Sequence, residues 1–226
     1  MSVALNAKTF LAAMFVFALV ALFSSADVQL LNGQQGYTPD QPMAYSHRLH
    51  AGELGIDCLY CHYGARTSRH AGVPPAELCM NCHGSVTAGM DASALEKAAA
   101  EEEGREARQI TSPELTKLYA SLGRGPDGQL DESIEPKPLE WVRVHNLPDF
   151  VYFNHSVHVT RGVACESCHG PVSSMDKVRQ EGSMTMGWCI DCHRSQGVTK
   201  AIKMETRDDA ERKDMHVSTD CAACHY

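Results

Sequence analysis

Outside its N-terminal segment, the chain lacks the residues of an ordinary apolar core. Only 7% of its 226 residues are aromatic, and only two are tryptophan. Aliphatic residues are sparse in the body, where cysteine, histidine, glycine and proline are frequent. A chain of this length normally folds around a continuous apolar interior. We therefore expect a bound component to supply the apolar surface around which this body folds.

Two further absences narrow the functional classes. The chain has 20 basic and 28 acidic residues, a formal charge of −8, which argues against nucleic acid as a partner. It also lacks any cysteine outside one repeated pattern, because all ten belong to five copies of Cys-x-x-Cys-His. We number these copies motif 1 to motif 5 in chain order: Cys58–His62, Cys79–His83, Cys165–His169, Cys189–His193 and Cys221–His225.

This pattern is the attachment signature of c-type haem. Both cysteine sulfurs bond the porphyrin, and the histidine that follows binds one face of the iron. Structural zinc or disulfides also use cysteine, but neither requires a histidine after every second cysteine. We therefore predict five haem c groups. The predicted attachment residues are Cys58, Cys61, Cys79, Cys82, Cys165, Cys168, Cys189, Cys192, Cys221 and Cys224, and the predicted proximal ligands are His62, His83, His169, His193 and His225.

A pair of histidines three residues apart precedes motif 1 and motif 3. Both pairs stand in the pattern aromatic-x-His-x-x-His, at residues 45–50 and 153–158, and a second motif follows each. The chain is thus an internal repeat of a two-motif unit, extended by motif 5. Side chains three apart on a helix are neighbours that splay around it, so each pair can reach two irons. We predict four distal ligands: His47, His50, His155 and His158.

The fifth iron needs one more distal ligand, and the sequence leaves this choice open. His145 lies in an aromatic-rich stretch, and Met184 and Met186 precede motif 4. A methionine ligand would give a centre of higher potential than a bis-histidine one. His216, five residues before motif 5, and His70, in the loop after motif 1, are the other candidates.

The N-terminal segment carries the one long apolar run. Residues 10–23 contain no charge, and Lys8 precedes them. The run is short for a membrane span, which needs about 20 residues, but residues 4–31 can lengthen it at the interfaces. The alternative is a cleavable signal that ends before Asp27. We expect a retained membrane anchor and, because haem is attached to such motifs outside the cytoplasmic membrane, a periplasmic body.

The predicted fold is mainly α-helical with much irregular loop, organised around covalently bound haem and preceded by a transmembrane helix. We divide it into an anchor (1–31), a dihaem first lobe (32–90), a helical connector (91–140) and a trihaem second lobe (141–226). In the connector, Ser112-Pro113 predicts a helix start with proline at its first position. Leu115, Leu118, Tyr119 and Leu122 recur at helical spacing and should face the body.

Several stretches resemble known proteins. Histidine pairs followed by Cys-x-x-Cys-His resemble the small multihaem cytochromes of the c3/c7 class. Residues 45–66, 140–158 and 186–194 together resemble the pentahaem cytochrome c subunit of alternative complex III, a membrane-bound quinol oxidoreductase. The resemblance implies an electron-transfer subunit, and not an enzyme acting alone. It implies as partners integral-membrane quinone-binding subunits, an iron–sulfur subunit and a monohaem cytochrome c, with a soluble acceptor or a terminal oxidase downstream.

The resemblance to c7-type proteins also implies which histidine serves which iron. His47 would serve motif 1 and His50 motif 2, and His155 would serve motif 3 and His158 motif 4. The c7-type proteins have a histidine shortly before their second-to-last motif, where this chain has Met184 and Met186. That departure favours one His/Met centre.

Two other functions fit parts of the pattern. A membrane-anchored multihaem quinol dehydrogenase would touch quinol without a larger complex. A multihaem reductase, for example of nitrite, would need an iron with an open coordination position. The candidate ligands here outnumber the irons, which argues against the reductase.

Overall fold

The structure is a computed structural model that describes residues 7–25, 34–196 and 217–225. In those residues, strand pairing is limited to two isolated bridges, Arg124 with Leu130 and Val151 with His225. The prediction of a mainly helical chain with much loop is confirmed. The α-helices are α1 (Ala7–Ser25), α2 (Cys58–Cys61), α3 (Ala76–His83), α4 (Met90–Glu103), α5 (Pro113–Ser121), α6 (His155–Thr160), α7 (Glu166–His169) and α8 (Met186–Gln196). A π-helical turn lies at Arg48–Glu53, and 3-10 turns lie at Tyr63–Arg66, Val172–Ser174 and Cys221–Ala223.

The apolar run forms α1, whose described side chains, such as those of Phe15 and Phe17, are exposed. Among the helices of the described residues, none combines the length and the apolarity that a membrane crossing requires. The transmembrane helix in residues 1–31 is therefore not confirmed and stays a prediction.

A small protein-only core lies between the connector and motif 2. Met43, Leu118 and Tyr119 form it, and the last two are only 1% exposed. Helix α5 supplies Leu118 and Tyr119 and begins as predicted, at Pro113, with the Ser112 hydroxyl accepting a hydrogen bond from the Leu115 N–H. Apart from this cluster, few described side chains are buried, as expected for a body that folds around a bound group.

The two lobes contact each other at two matched places. The π-helical turn Arg48–Glu53 of the first lobe packs on Val172–Ser174, which follows motif 3. Helix α6 of the second lobe packs on Tyr63–Arg66, which follows motif 1. In both contacts, the histidine segment of one lobe lies against residues of the other lobe. Those residues directly follow the first motif of that other lobe. The domain boundaries stay predictions, but these contacts show that the two lobes interlock.

Main-chain hydrogen bonds join the two lobes at the same two contacts, which we call the junctions. The Arg48 N–H donates to the Met175 carbonyl at 2.9 Å, and the Ser156 N–H donates to the Ser68 carbonyl at 3.2 Å. Each donor directly follows the first histidine of its pair, so the two junctions are equivalent positions of the repeat.

Candidate functional site

Each motif forms a short helical turn. In motifs 1, 3 and 5 the histidine N–H donates to the carbonyl of the first cysteine, at 2.9, 3.0 and 2.9 Å. Motifs 2 and 4 lie within α3 and α8. A turn of this kind brings two sulfurs and one imidazole close together, which is the arrangement that covalent haem attachment requires.

Aspartates begin the turns of motifs 1 and 5. The Asp57 carboxylate accepts a hydrogen bond from the Leu59 N–H at 2.7 Å, and Asp220 accepts one from the Ala222 N–H at 2.9 Å. We did not assign either residue a role from the sequence, although an aspartate directly before a turn is a known helix-start signal.

The structure places each predicted distal histidine opposite one proximal histidine. The ring centroids are 6.4 Å apart for His47 and His62, 6.1 Å for His50 and His83, 6.3 Å for His155 and His169, and 6.2 Å for His158 and His193. An imidazole nitrogen binds a metal at about 2.0–2.1 Å, so two rings on opposite sides of one ion have centroids about 6.3 Å apart. The four gaps therefore fit a bis-histidine iron. These are the pairs that the resemblance to c7-type proteins implies, and the role of each histidine as a ligand stays a prediction.

An aromatic ring orients each histidine pair. Tyr45 stacks on His50 at 4.4 Å and meets His47 edge-on at 4.9 Å. Phe153 does the same in the second lobe, stacking on His158 at 4.6 Å and meeting His155 edge-on at 4.8 Å. The aromatic residue of the repeated pattern thus fixes the angle between its two imidazoles.

Main-chain carbonyls fix the tautomer of most of these histidines. When Nδ1–H donates a hydrogen bond to a carbonyl oxygen, Nε2 is free to bind a metal and the imidazole is a stronger ligand. Nδ1 contacts a carbonyl oxygen at 2.7–2.9 Å in His50, His62, His83, His155, His158 and His193, through Ser46, Gly72, Val86, Arg69, Asn154 and Ser218 respectively.

Burial keeps the remaining members of the four pairs neutral. It is the largest cause that lowers the pKa of His47 to about 4, followed by the neighbouring imidazoles of His62 and His50. Burial likewise lowers the pKa of His169 to about 4, followed by His145, His155 and His62. A neutral imidazole is the form that binds metal, so both residues are prepared for ligation.

Motif 5 differs from the other four. The ring that stacks on His225 is the Phe150 phenyl, with centroids 5.7 Å apart. The Tyr152 N–H donates to the Cys224 carbonyl at 2.7 Å, so residues 150–152 dock this motif. A phenyl group is no iron ligand, and the fifth distal position stays open at this point.

The candidates for the fifth position have different surroundings. The His145 ring meets His169 edge-on at 4.4 Å, too close for an iron between those two rings, and burial is the main cause that lowers its pKa. Met186 is 65% exposed at the start of α8. Met184 is half-buried with φ +52°, and His70 is exposed. His216 lies outside the described residues.

Comparison with known proteins supports haem chemistry. Residues 157–226, which hold motifs 3 to 5, match the family described as cytochrome c3. Over these residues the chain is similar to multihaem c-type cytochromes, which take part in electron transfer, and the helical fold and the imidazole pairs agree with that similarity. When bound, haem c supplies one-electron redox chemistry.

One relative covers most of the chain. In an alignment 185 residues long that covers 72% of this chain and 73% of the relative, the sequence is 25% identical to the menaquinone reductase multihaem cytochrome c subunit of Nitratidesulfovibrio vulgaris (strain Hildenborough). The similarity extends well beyond motifs 3 to 5, so it includes part of the first lobe or the connector.

Proposed function

We propose that this chain binds five haem c groups and is the electron-transfer subunit of a membrane quinone oxidoreductase. The observation that carries the proposal is the set of four imidazole pairs with centroids 6.1–6.4 Å apart. An iron with two imidazole ligands has no position left for a substrate. Four such sites therefore favour an electron carrier over an enzyme acting alone.

The proposal assigns one role to each residue of the site. The ten motif cysteines attach the haems, and the five motif histidines are the proximal ligands. His47, His50, His155 and His158 are the distal ligands of motifs 1 to 4 in that order. These side chains bind and orient the groups, while Tyr45 and Phe153 set the directions of the distal rings.

For the fifth distal position, the backbone favours Met184 among the candidates in the described residues. Among the described non-glycine residues, Met184 is the one with positive φ. Such strain is costly and is concentrated at functional sites. Met186 points into solvent, and His145 lies against motif 3.

Near-infrared magnetic circular dichroism tests these assignments. The unsubstituted protein should show four bis-histidine irons and one His/Met iron. Each of His47→Met, His50→Met, His155→Met and His158→Met should convert one bis-histidine band into a second His/Met band. Met184→His should abolish the His/Met band, whereas Met186→His should leave it unchanged. A high-spin iron in the resting protein would instead indicate an open coordination position and favour a multihaem reductase.

The comparisons support a quinone-linked complex. The name of the relative assigns it to a menaquinone reductase, and the resemblance noted above points to alternative complex III. We propose quinone-binding membrane subunits, an iron–sulfur subunit and a monohaem cytochrome c as partners of this chain. We also propose that residues 1–31 anchor it with its body in the periplasm, and that it passes electrons from quinol to a cytochrome c-type acceptor or a terminal oxidase.

The direction of electron flow is tested on the complex purified from membranes. Under anaerobic conditions, a reduced menaquinone analogue should reduce the haems of the complex within the dead time of manual mixing. Haem reduction by a cytochrome donor, together with no reduction by quinol, would show the opposite direction. Quinol oxidation by this chain without partners would support the membrane-anchored quinol dehydrogenase instead.

A further inference from the structure

We propose that the five haem sites lie in the order motif 2, motif 1, motif 3, motif 4, motif 5, so that electrons cross between the lobes at motif 1 and motif 3. The inference rests on the proposed function, because it orders the same five sites. The order along the chain would instead place motif 2 beside motif 3. Each transfer oxidises one site by one electron and reduces its neighbour by one electron, so no further reactant is required.

Motifs 1 and 2 are neighbours within the first lobe. His47 and His50 lie on one segment and face the proximal histidines of both motifs. The variable residues of the two motifs also touch, because the Asn81 side-chain amide donates to the Tyr60 hydroxyl at 2.9 Å. The attachment sites of motifs 1 and 2 are therefore in direct contact.

Motifs 1 and 3 meet where the two lobes join. Helix α6 packs on the 3-10 turn that directly follows motif 1. The His155 N–H and its Nδ1 both bond the Arg69 carbonyl, at 3.3 and 2.7 Å. A distal histidine of motif 3 is thus held by the loop that leaves motif 1.

Motifs 3, 4 and 5 continue from this junction. His155 and His158 on α6 face the proximal histidines of motifs 3 and 4. Nδ1 of His193 bonds the Ser218 carbonyl at 2.7 Å, three residues before motif 5.

Motif 2 occupies the end of this series because the connector covers it. Cys79 and Met80 pack against the core of Met43, Leu118 and Tyr119. The Tyr119 hydroxyl also donates to the His83 carbonyl at 2.6 Å. The connector, which separates motifs 2 and 3 along the chain, therefore packs on motif 2. It does not place motif 2 next to motif 3.

Redox titration of double variants tests the order in the haem-loaded protein. A His/Met centre has a higher potential and its own near-infrared band, so the substituted sites can be followed apart from the remaining bis-histidine sites. The interaction between two sites is the departure of the double variant from the sum of its single variants. This departure should be at least twofold larger for His47→Met/His155→Met than for the matched control His50→Met/His155→Met. An equal or larger departure in the control would overturn the proposed order.

Hydrogen exchange on the unsubstituted haem-loaded protein provides a test that needs no variant. The amides of Arg48, His155 and Ser156 bond the opposite lobe and should exchange at least tenfold more slowly than the exposed amide of Glu132. Rapid exchange of all three would contradict the junction at motifs 1 and 3, even with five haems bound. Fewer than five haems with these amides protected would instead count against the proposed function.

Discussion

The two histidine segments, residues 45–57 and 153–164, present the same side chains on different backbone conformations. Each has an aromatic ring that contacts two imidazoles at 4.4–4.9 Å. The first continues into a π-helical turn and the second into the α-helix α6. The spacer before the first cysteine has seven residues in the first segment (51–57) and six in the second (159–164). A π-helical turn accommodates one additional residue, so the ring geometry is preserved despite the insertion.

The two segments also differ in the side chains that fit at one matched position. Two residues after the second histidine, the first segment has Gly52 and the second has Thr160. A Cβ on Gly52 would overlap the Ser173 carbonyl oxygen, whereas the Thr160 side chain bonds back to the Ser156 carbonyl of its own helix. The first segment thus approaches the opposite lobe more closely at this position.

Removal of a distal imidazole should have the largest effect, and it should be equal in the two segments. His50→Gly and His158→Gly each take one ligand from one iron. We expect one iron in five to become high-spin in each variant, because no neighbouring side chain replaces the ring. Electron paramagnetic resonance measures this fraction. Added imidazole should restore the low-spin signal, and an unchanged spectrum in either variant would contradict its assignment.

Gly52→Ala should come next, because it forces backbone atoms of the two lobes apart. We expect a loss of about 1–3 kcal/mol in the free energy of unfolding, the usual cost of overpacking. The matched change in the second segment, Thr160→Ala, removes an exposed hydroxyl that bonds carbonyls of its own helix and should cost less than about 1 kcal/mol. Denaturant unfolding of the haem-loaded proteins compares them. Equal losses would show that the two segments dock equally closely.

Loss of the aromatic ring should have a smaller effect that is again shared by the segments. Tyr45→Leu and Phe153→Leu keep an apolar side chain but remove the stacking on two imidazoles. Aromatic pairs contribute about 0.5–1.5 kcal/mol beyond their buried area. Each variant should lose about that much stability and should shift the low-spin signals of the two irons in its own lobe. Shifts in the other lobe would contradict the assignment of ring to lobe.

The smallest expected effect is an acid sensitivity confined to the first segment. Asp176 accepts hydrogen bonds from the Arg48 guanidinium at 3.0 Å and from the Ser46 hydroxyl at 2.6 Å, and the Arg48 bond is the main cause that lowers its pKa. A carboxylate with a lowered pKa stabilises the fold above its ordinary pKa, and this contribution is lost as the pH falls through the lowered value. The second segment has Ser156 where the first has Arg48.

Hydrogen exchange measures this difference. As the pH falls below about 4, protection of the Arg48 amide should decrease relative to that of Ser156. In Asp176→Asn the ratio of the two protection factors should no longer depend on pH. A decrease of equal size at both amides would show that the acid sensitivity has another source.

Much of the candidate site could be predicted from the sequence, because its signals are local. Short-range spacing is enough to recognise the motifs, the histidine pairs and the start of α5 at Pro113. The junctions between lobes could not be predicted, since contacts such as that of Gly52 with Ser173 join residues far apart in the chain. Nor did the spacer lengths reveal the π-helical turn, because an added residue can equally enter a loop. The fifth distal ligand stayed open because methionine and histidine candidates carry no spacing signal of their own.

The central claim is that all ten cysteines hold five haem groups, and the intact mass of the purified, denatured protein tests it most directly. Thioether bonds survive denaturation, so the account predicts the mass of the polypeptide plus five haems. A mass that corresponds to fewer haems, to the bare chain or to a chain with disulfide-linked cysteines would contradict it.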